Sequence, residues 1–580
     1  MIQKISFQNY KAFEKGEIKL KPITILLGAN SVGKSSIINL LLMLQQSANS
    51  TNYKSALRLH GENVSMGECK NIFRNQITNN NIVIDFEFKS EILKDLLKKG
   101  LLSDFINQIT QPIQFFSRFA ENDINQLPNI EFNQFINKRR EIDERLYSSK
   151  ETFQKLISTI ETLNKSIIED RKQSDFVRYY LRQNESIRLN DKKLLELIYD
   201  FLVEAKKIKE DIFNLSFELC GVKSNKEDVL KMCRVTLINN KKQVLNIKFD
   251  LNQNNTAYKD IEITSDFTNR QELLDNRTKE EFLKMINFNF NSTVFSWVPR
   301  YNKGRDFFYR PIIENEECSV VTQILLQIID QAVVSVKDNF IKEFVNHVSP
   351  LRAHPKRYYF LDKANINTAL DSLDGNSLTE ILKENTTVRN KVNTWLKNFG
   401  LQVDVSTLQD VIHKLQIRQY SLDLDITDVG FGISQILPII VQGFLSFESS
   451  LTMIEQPEIH LHPKMQADLA DLFIDVTGTT IQKKFFKGKQ SSELPQKYLL
   501  IETHSEYLLR RLRRRISEGK ISAQDVAIYF IIPPKDKNNS AEIQEKEISP
   551  DGAFEWPQDF YADELKKDTT EFIKQLFRKK

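Results

Sequence analysis

The sequence is short of cysteine, of net charge and of long apolar runs, and each shortage removes a class of protein. Its four cysteines, Cys69, Cys220, Cys233 and Cys318, are scattered and include no CxxC pair, which argues against a zinc site or a disulfide framework. That usage predicts a reducing, cytoplasmic setting. The formal net charge is only +4 over 580 residues, so overall charge makes no case for nucleic acid, although a local basic patch stays open. Nothing resembles a secretory h-region or the roughly 20 apolar residues of a membrane span, and the opening MIQKISFQNYKAF reads as folded strand. No internal repeat is evident. What is present is an ordinary globular composition, 41% hydrophobic and 27% charged, with length enough for two or more domains that each bury a core.

The first strong signal is GANSVGKSS at residues 28 to 36. It matches GxxxxGK[ST], with a β-branched run, ITILLG, before it and a Leu, Ile and Met-rich helix, SSIINLLLMLQQ, after it. Strand, glycine loop and helix are what phosphate binding requires. The glycines let backbone N–H groups curl around an anion, and the helix N-terminus adds partial positive charge. Gly28, Asn30, Ser31, Gly33, Lys34, Ser35 and Ser36 are therefore the candidate nucleotide-binding set, with Lys34 reaching the β and γ phosphates and the Ser35 hydroxyl offered to Mg²⁺. A strand-turn-helix with no ligand is the bland alternative.

Three further segments follow at a distance. VGFGISQILPII at 429 to 440 sets two glycines and a serine ahead of an apolar helix. LTMIEQPEIHLHP at 451 to 463 is an apolar strand that breaks into Glu455, Gln456, Pro457 and Glu458. KYLLIETHSEYLLRRLRRR at 497 to 515 is a strand ending at His504 and Ser505, then a helix. Each alone is a glycine turn, a buried strand with polar ends, or a capped helix.

In that order they resemble the head domain of ABC-type ATPases of the SMC-like and OLD-like kind, over roughly residues 1 to 90 and 340 to 580. GANSVGKSS resembles Walker A, GFGISQ the ABC signature, TMIEQPE Walker B, and ETHS the switch-histidine segment. The resemblance implies an α/β fold, a discontinuous P-loop ATPase head, with ATP and Mg²⁺ as ligands. It implies that two heads close on nucleotide, so that Gly432 and Ser434 of one copy meet the phosphate held by Lys34 of the other. It gives Ser35 and Glu455 to the metal and catalytic roles to Gln456, Glu458 and His504, and places His460 at the dimer seam. A metal-binding reading of His460 and His462 is poorer on ligand geometry. The tail ISPDGAFEWPQDFYADEL and the mid-chain SPLRAHPKRYY resemble a subgroup that includes ATPase subunits of anti-phage systems of the Septu PtuA type. OLD nucleases carry a Toprim domain behind the head, whereas the residues after ETHS are taken up by head strands and the tail. The expectation is a separately encoded nuclease of HNH or Toprim type.

The expected divisions are residues 1–90 for the N-terminal head lobe, 91–230 for a helical insertion, 231–345 for the rest of a β lobe with helices and loops, and 346–580 for the C-terminal head lobe. IVIDFEF, CRVTLI and VLNIKFDL alternate as strands of the β lobe. Leu146, Phe153, Leu156, Ile160, Leu163 and Ile167 form a heptad stripe, and Leu195, Ile198, Leu202, Ala205, Ile208, Ile212 and Leu215 a second. The two predict a helical hairpin or a bundle, which periodicity does not separate. WVPRYNKGRDFFYRP mixes aromatics with Arg300, Lys303, Arg305 and Arg310, open between a nucleic-acid contact and a solvated loop. The RRLRRR run, Arg510 to Arg515, is either a helix face near the nucleotide or a phosphate-binding stripe.

The oddity is Gln456. An amide takes no proton, although it orients water, so hydrolysis is expected to be slow and the closed dimer long-lived. Glu458 is the remaining candidate base, or a helix cap. Two functions remain in view: a regulatory ATP-binding subunit of an anti-phage complex, and a DNA-stimulated ATPase of the repair type.

Overall fold

The computed structural model describes residues 1–50, 53–109, 149–158, 192–224, 227–269, 271–298, 301–303, 309–311, 319–341, 343–360, 370–371, 375–409, 411–479, 496–536, 539–556 and 569–575. The chain is mixed α/β and divides into two compact units, one formed by Met1–Ile2 with Gln46–Lys337, the other by Gln3–Gln45 with Asp338–Lys580. The first division falls in the last turns of helix α1 (Lys34–Ala48), well short of residue 90.

The chain opens with the antiparallel pair β1 (Ile2–Tyr10) and β2 (Phe13–Lys19), then β3 (Ile23–Gly28) and α1. The first unit follows with β4 (Ile82–Lys89), β5 (Ile212–Ser224), β6 (Glu227–Asn239), β7 (Lys242–Leu251) and β8 (Tyr258–Thr264), paired in sequential order and all antiparallel. The alternation of β4, with Ile82, Ile84, Phe86 and Phe88 buried, gives the sheet one apolar face. β9 (Tyr301–Lys303) and β10 (Tyr309–Pro311) form a short hairpin where the aromatic and basic stretch was noted; Arg300 and Arg305 lie outside the described residues.

Three findings here differ from the sequence reading. The second heptad stripe is not one helix: α2 (Lys192–Ala205) carries Leu195, Ile198, Leu202 and Ala205, but Ile212 and Leu215 belong to β5. In a strand, residues 212 and 215 fall on opposite faces, and strand pairing with β4 wins over the helical period. Cys220 and Cys233 are joined as a disulfide between β5 and β6, at the irregularity that leaves Cys233 out of the strand register, a pairing invisible in their spacing. Third, α3 (Asn276–Phe288) is followed by α4 (Val320–Lys337), long and apolar enough to cross a membrane. Ile324, Leu325, Leu326 and Ile328 are buried within the unit, so its apolar surface is core. Of the first stripe, residues 150–158 are helical and run antiparallel to α2, with Phe153 stacked on Tyr199 at 4.2 Å and Gln154 bonded to Glu196. The positions Leu146, Ile160, Leu163 and Ile167 lie outside the described residues.

The second unit is built on a six-stranded sheet ordered β11 (Val345–Val348), β16 (Leu451–Glu455), β17 (Tyr498–Glu502), β3, β18 (Val526–Ile532) and β19 (Glu542–Lys546). All neighbours are parallel except β18 and β19. A small antiparallel sheet joins β12 (Tyr359–Phe360), β14 (Ile412–Gln419) and β13 (Leu401–Gln409), with β15 (Leu422–Asp425) also on β14. Helices α5 (Gly375–Glu384), α6 (Thr386–Leu396), α7 (Phe431–Leu445), α8 (Pro463–Thr477) and α9 (Glu506–Ser517) complete the unit. β3 is buried at every residue, which accounts for an unbroken apolar run where alternation would mark a one-sided strand. α8 starts with Pro463 behind the His462 cap and stops at Gly478 in the left-handed region.

Candidate functional site

A parallel sheet collects the carboxyl ends of its strands along one edge, and ligands bind there. In the second unit β11, β16, β17 and β3 end together, and the chemistry of the sequence is concentrated at those four ends. The loop after β3 has the backbone of an anion nest: Gly28, Ser31 and Gly33 all have positive φ, at 147°, 64° and 114°. Side chains are excluded there as well. A Cβ on Gly28 would come within 2.7 Å of the Ile531 carbonyl, and one on Gly33 within 2.8 Å of the Phe13 ring. Asn30, Ser31 and Ser35 face solvent, while Ser36 is held by its carbonyl, which accepts from Tyr10 Oη at 3.1 Å.

Lys34 is 3% exposed and donates to the carbonyls of Gly28 and Ala29, at 3.1 and 2.7 Å. Its ammonium also stands 3.7 Å from Glu502, the last residue of β17. Burial lowers the Lys34 pKa, and the Glu502 and Glu458 carboxylates oppose that fall. Ser35 Oγ donates to Glu502 Oε2 at 3.2 Å. A hydroxyl and a buried carboxylate in contact are a hard oxygen donor set, the kind that Mg²⁺ takes. Ser35 and Glu502 therefore fit the metal that the nucleotide motif implies.

The sequence reading places Glu502 inside the histidine motif and gives it no role of its own. Its signal was there: it is the polar end of a second apolar strand, LLIE, beside MIE. β16 and β17 pair with Glu455 opposite Glu502, so both carboxylates leave the same face of the sheet. The pair is not equivalent. Glu455 accepts from His347 Nε2 at 2.7 Å, a β11 residue also missed, and no hydrogen bond or ion pair among the described residues joins it to Ser35. Burial raises the Glu502 pKa, with Lys34 lowering it and Glu455 adding to the rise.

Gln456 sits in the left-handed region at φ 44°, an unfavourable place for a side chain with a Cβ. Its N–H donates to the Glu502 carbonyl at 2.8 Å, and Arg352 Nη2 donates to the carbonyls of Glu455 and Gln456 at 2.9 and 3.3 Å. Arg352, from the PLR segment, is 5% exposed; burial brings its pKa down to about 10 against the pull of Glu458 and Glu455, so it stays charged. Its Nε and Nη1 have no hydrogen-bond partner among the described residues.

Glu458 does not cap a helix, since α8 begins beyond it with His462 as its cap. Its two oxygens accept from Thr503 Oγ1 at 2.8 Å and from the His504 N–H at 2.6 Å. Burial raises its pKa while those two donors lower it. His504 lends the site its backbone; its Nε2 is buried without a hydrogen-bond partner among the described residues, and burial followed by Lys34 holds the imidazole pKa below its ordinary value.

The signature residues stand apart from this cluster. Gly430 caps α7 without a side-chain bond, Ser434 Oγ donates to the Phe431 carbonyl at 2.7 Å, and a Cβ on Gly432 would meet the His460 carbonyl at 2.8 Å. No hydrogen bond or ion pair among the described residues ties Gly432 or Ser434 to the Lys34 loop. His460 is exposed in a turn and packs edge-on to Phe431 at 4.9 Å. No group of three metal-ligating His, Cys, Asp or Glu occurs among the described residues.

Apart from Arg513, the arginines of the run are paired with acids of α8 and of their own helix. On α9, Arg511 bonds Asp468 and Asp471 of α8 at 2.8 and 2.7 Å, Arg515 bonds Asp471 and Glu518, and Arg510 and Arg514 pair with Glu506 and Glu518. Arg513 lies over Phe554 and Trp556, which seats the start of the tail; residues 557–568 lie outside the described residues.

A family model for the AAA ATPase domain matches residues 1–509. The chain belongs to that family. The match spans both ends of the discontinuous head, so the α/β P-loop ATPase fold expected from the four motifs is the fold observed. Among solved structures, this AAA ATPase is similar to the SMC head domain from Thermotoga maritima, at 7% identity and a TM-score of 0.31, covering 94% of this chain and 98% of that one. It is similar also to the Smc head domain with an extended coiled coil, bound to the C-terminal domain of ScpA, from Pyrococcus furiosus, at 9% identity and a TM-score of 0.31, covering 94% and 96%. The Smc head domain with a coiled coil and joint from Pyrococcus yayanosii gives 8% identity and 0.28, covering 95% and 98%. No curated protein matches the ATPase.

Proposed function

We propose that this ATPase binds Mg²⁺ and ATP at the Lys34 loop and works as a slow nucleotide switch. It acts as a dimerising regulatory or sensor subunit of an anti-phage defence complex and controls a separately encoded nuclease. The observation that carries the reading is the combination at the β16 end: an amide, Gln456, follows Glu455 where the resemblance implies a water-activating acid, and Glu458 has both oxygens engaged by Thr503 and His504. Glutamine orients water without accepting its proton. On nucleotide binding Lys34 would exchange the Gly28 and Ala29 carbonyls for phosphate oxygens, the α1 N-terminus and the glycine nest would supply N–H groups, and Ser35 with a strand-end carboxylate would hold the metal. Bound Mg²⁺ supplies charge neutralisation at the phosphates. Slow turnover makes ATP occupancy itself the signal, provided ATP binds the closed dimer better than the open form. Gly432 and Ser434 serve the second copy's nucleotide in that closed form. The motif order and the tail resemblance support the defence role.

Single-turnover hydrolysis with and without DNA tests this. The expected rate is well below ~1 s⁻¹, the low end of the enzyme scale, and insensitive to Glu458→Gln. Many-fold stimulation by DNA that Glu458→Gln abolishes would instead establish the repair-type ATPase.

A further inference from the structure

Two acids end neighbouring strands in register, and only one of them touches the phosphate loop. Glu502 is 3% exposed, accepts from Ser35 Oγ at 3.2 Å and lies 3.7 Å from Lys34. Glu455 is turned to His347 at 2.7 Å. A serine hydroxyl has one proton and two lone pairs. With the proton committed to Glu502, the lone pairs of exposed Ser35 are left for a cation, and the carboxylate behind it strengthens the hydroxyl as a donor, as second-layer acids do for metal ligands.

The charge balance adds a coupling. Lys34 is the one cation paired with Glu502 among the described residues. A phosphate that draws Lys34 away leaves Glu502 buried and unpaired, which is costly unless another cation arrives. We propose that Glu502, rather than Glu455, is the carboxylate that positions Mg²⁺ beside Ser35, and that by exchanging Lys34 for the metal it makes ATP binding and Mg²⁺ binding depend on one another. The proposal rests on the reading of the Lys34 loop as a nucleotide site. Glu502 is a positioning residue here, acting through Ser35 and Lys34.

The coupling has a signature of two opposite signs. Removing the Glu502 charge frees Lys34 and removes repulsion of phosphate, so nucleotide without metal binds more tightly; the same change lowers the extra affinity that Mg²⁺ confers. A fluorescent ATP analogue is titrated into the full chain in EDTA and in Mg²⁺, for wild type, Glu502→Gln, Glu455→Gln and Ser35→Ala. Glu502→Gln is expected to tighten metal-free binding several-fold and to cut the Mg²⁺-linked gain about tenfold or more, a 1.4 kcal/mol coupling or larger. Ser35→Ala, an exposed truncation that spares the core, loses the same gain and serves where Glu502→Gln fails to fold. The inference is overturned if wild type shows the gain and Ser35→Ala keeps it, or if Glu455→Gln alone removes it. No nucleotide binding by folded wild type in either buffer would instead sink the reading of the site.

Discussion

Glu502 and Arg511 stand on consecutive elements, β17 and α9, yet their charges are handled in opposite ways. Arg511 belongs to a dense basic run, and each charge in its neighbourhood has a partner: Asp468 and Asp471 receive Arg511 and Arg515 across two helices. Glu502 is a single acid at the end of an apolar strand, buried at 3% exposure with Lys34 3.7 Å away and two further carboxylates nearby. At the neighbouring strand end Arg352 Nε and Nη1, and after β17 His504 Nε2, are buried with no hydrogen-bond partner among the described residues. Folding has settled the charges of α9 and left those of the strand ends unsettled.

That comparison is open to direct attack. The largest expected effect is at Lys34. Lys34→Ala removes the buried cation and is expected to weaken ATP about a hundredfold, from the loss of about 3 kcal/mol of charge-assisted bonding to phosphate. Because the change also strands Glu502, the double variant Lys34→Ala with Glu502→Gln should regain stability in urea unfolding without regaining ATP affinity by calorimetry. Arg352 comes next. Arg352→Ala frees the carbonyls of Glu455 and Gln456 and relaxes the left-handed Gln456, with an expected loss of roughly 2 kcal/mol in denaturant unfolding. A fall in turnover alongside, partly restored by Arg352→Lys, would mark it as positioning the strand end. The smallest effect is at the satisfied cluster: Arg511→Ala should cost about 1 kcal/mol of stability and leave ATP affinity unchanged. A change in ATP affinity there would erase the distinction between the two clusters.

The sequence showed the phosphate loop clearly because strand, glycines and helix are contiguous and their spacing is dictated by the anion. It showed β4, β6 and β7 through two-residue alternation. It hid what depends on register between distant segments. Glu502 meets Ser35 only because β17 pairs with β3, and Cys220 meets Cys233 only at the irregularity where β5 and β6 pair. Ile212 and Leu215 were misplaced because a few apolar residues at helical spacing also fit a strand when read without their partner. The charge density of α9 is visible in the sequence, while the aspartates of α8 that face its arginines become visible as partners only in the fold. Gln456 was legible as an anomaly, but its left-handed backbone and its hold by Arg352 were not.

The central claim is that Gln456 makes this AAA ATPase a switch that holds nucleotide longer than it cleaves it. Quenched single-turnover hydrolysis of Mg²⁺ and ATP by wild type and Gln456→Glu, with nucleotide occupancy measured in parallel, tests that claim most directly. The account predicts full occupancy for both and hydrolysis at least about tenfold faster in Gln456→Glu, a gain at the lower end of what general base catalysis contributes. Fast wild-type turnover that Gln456→Glu leaves unchanged would contradict it.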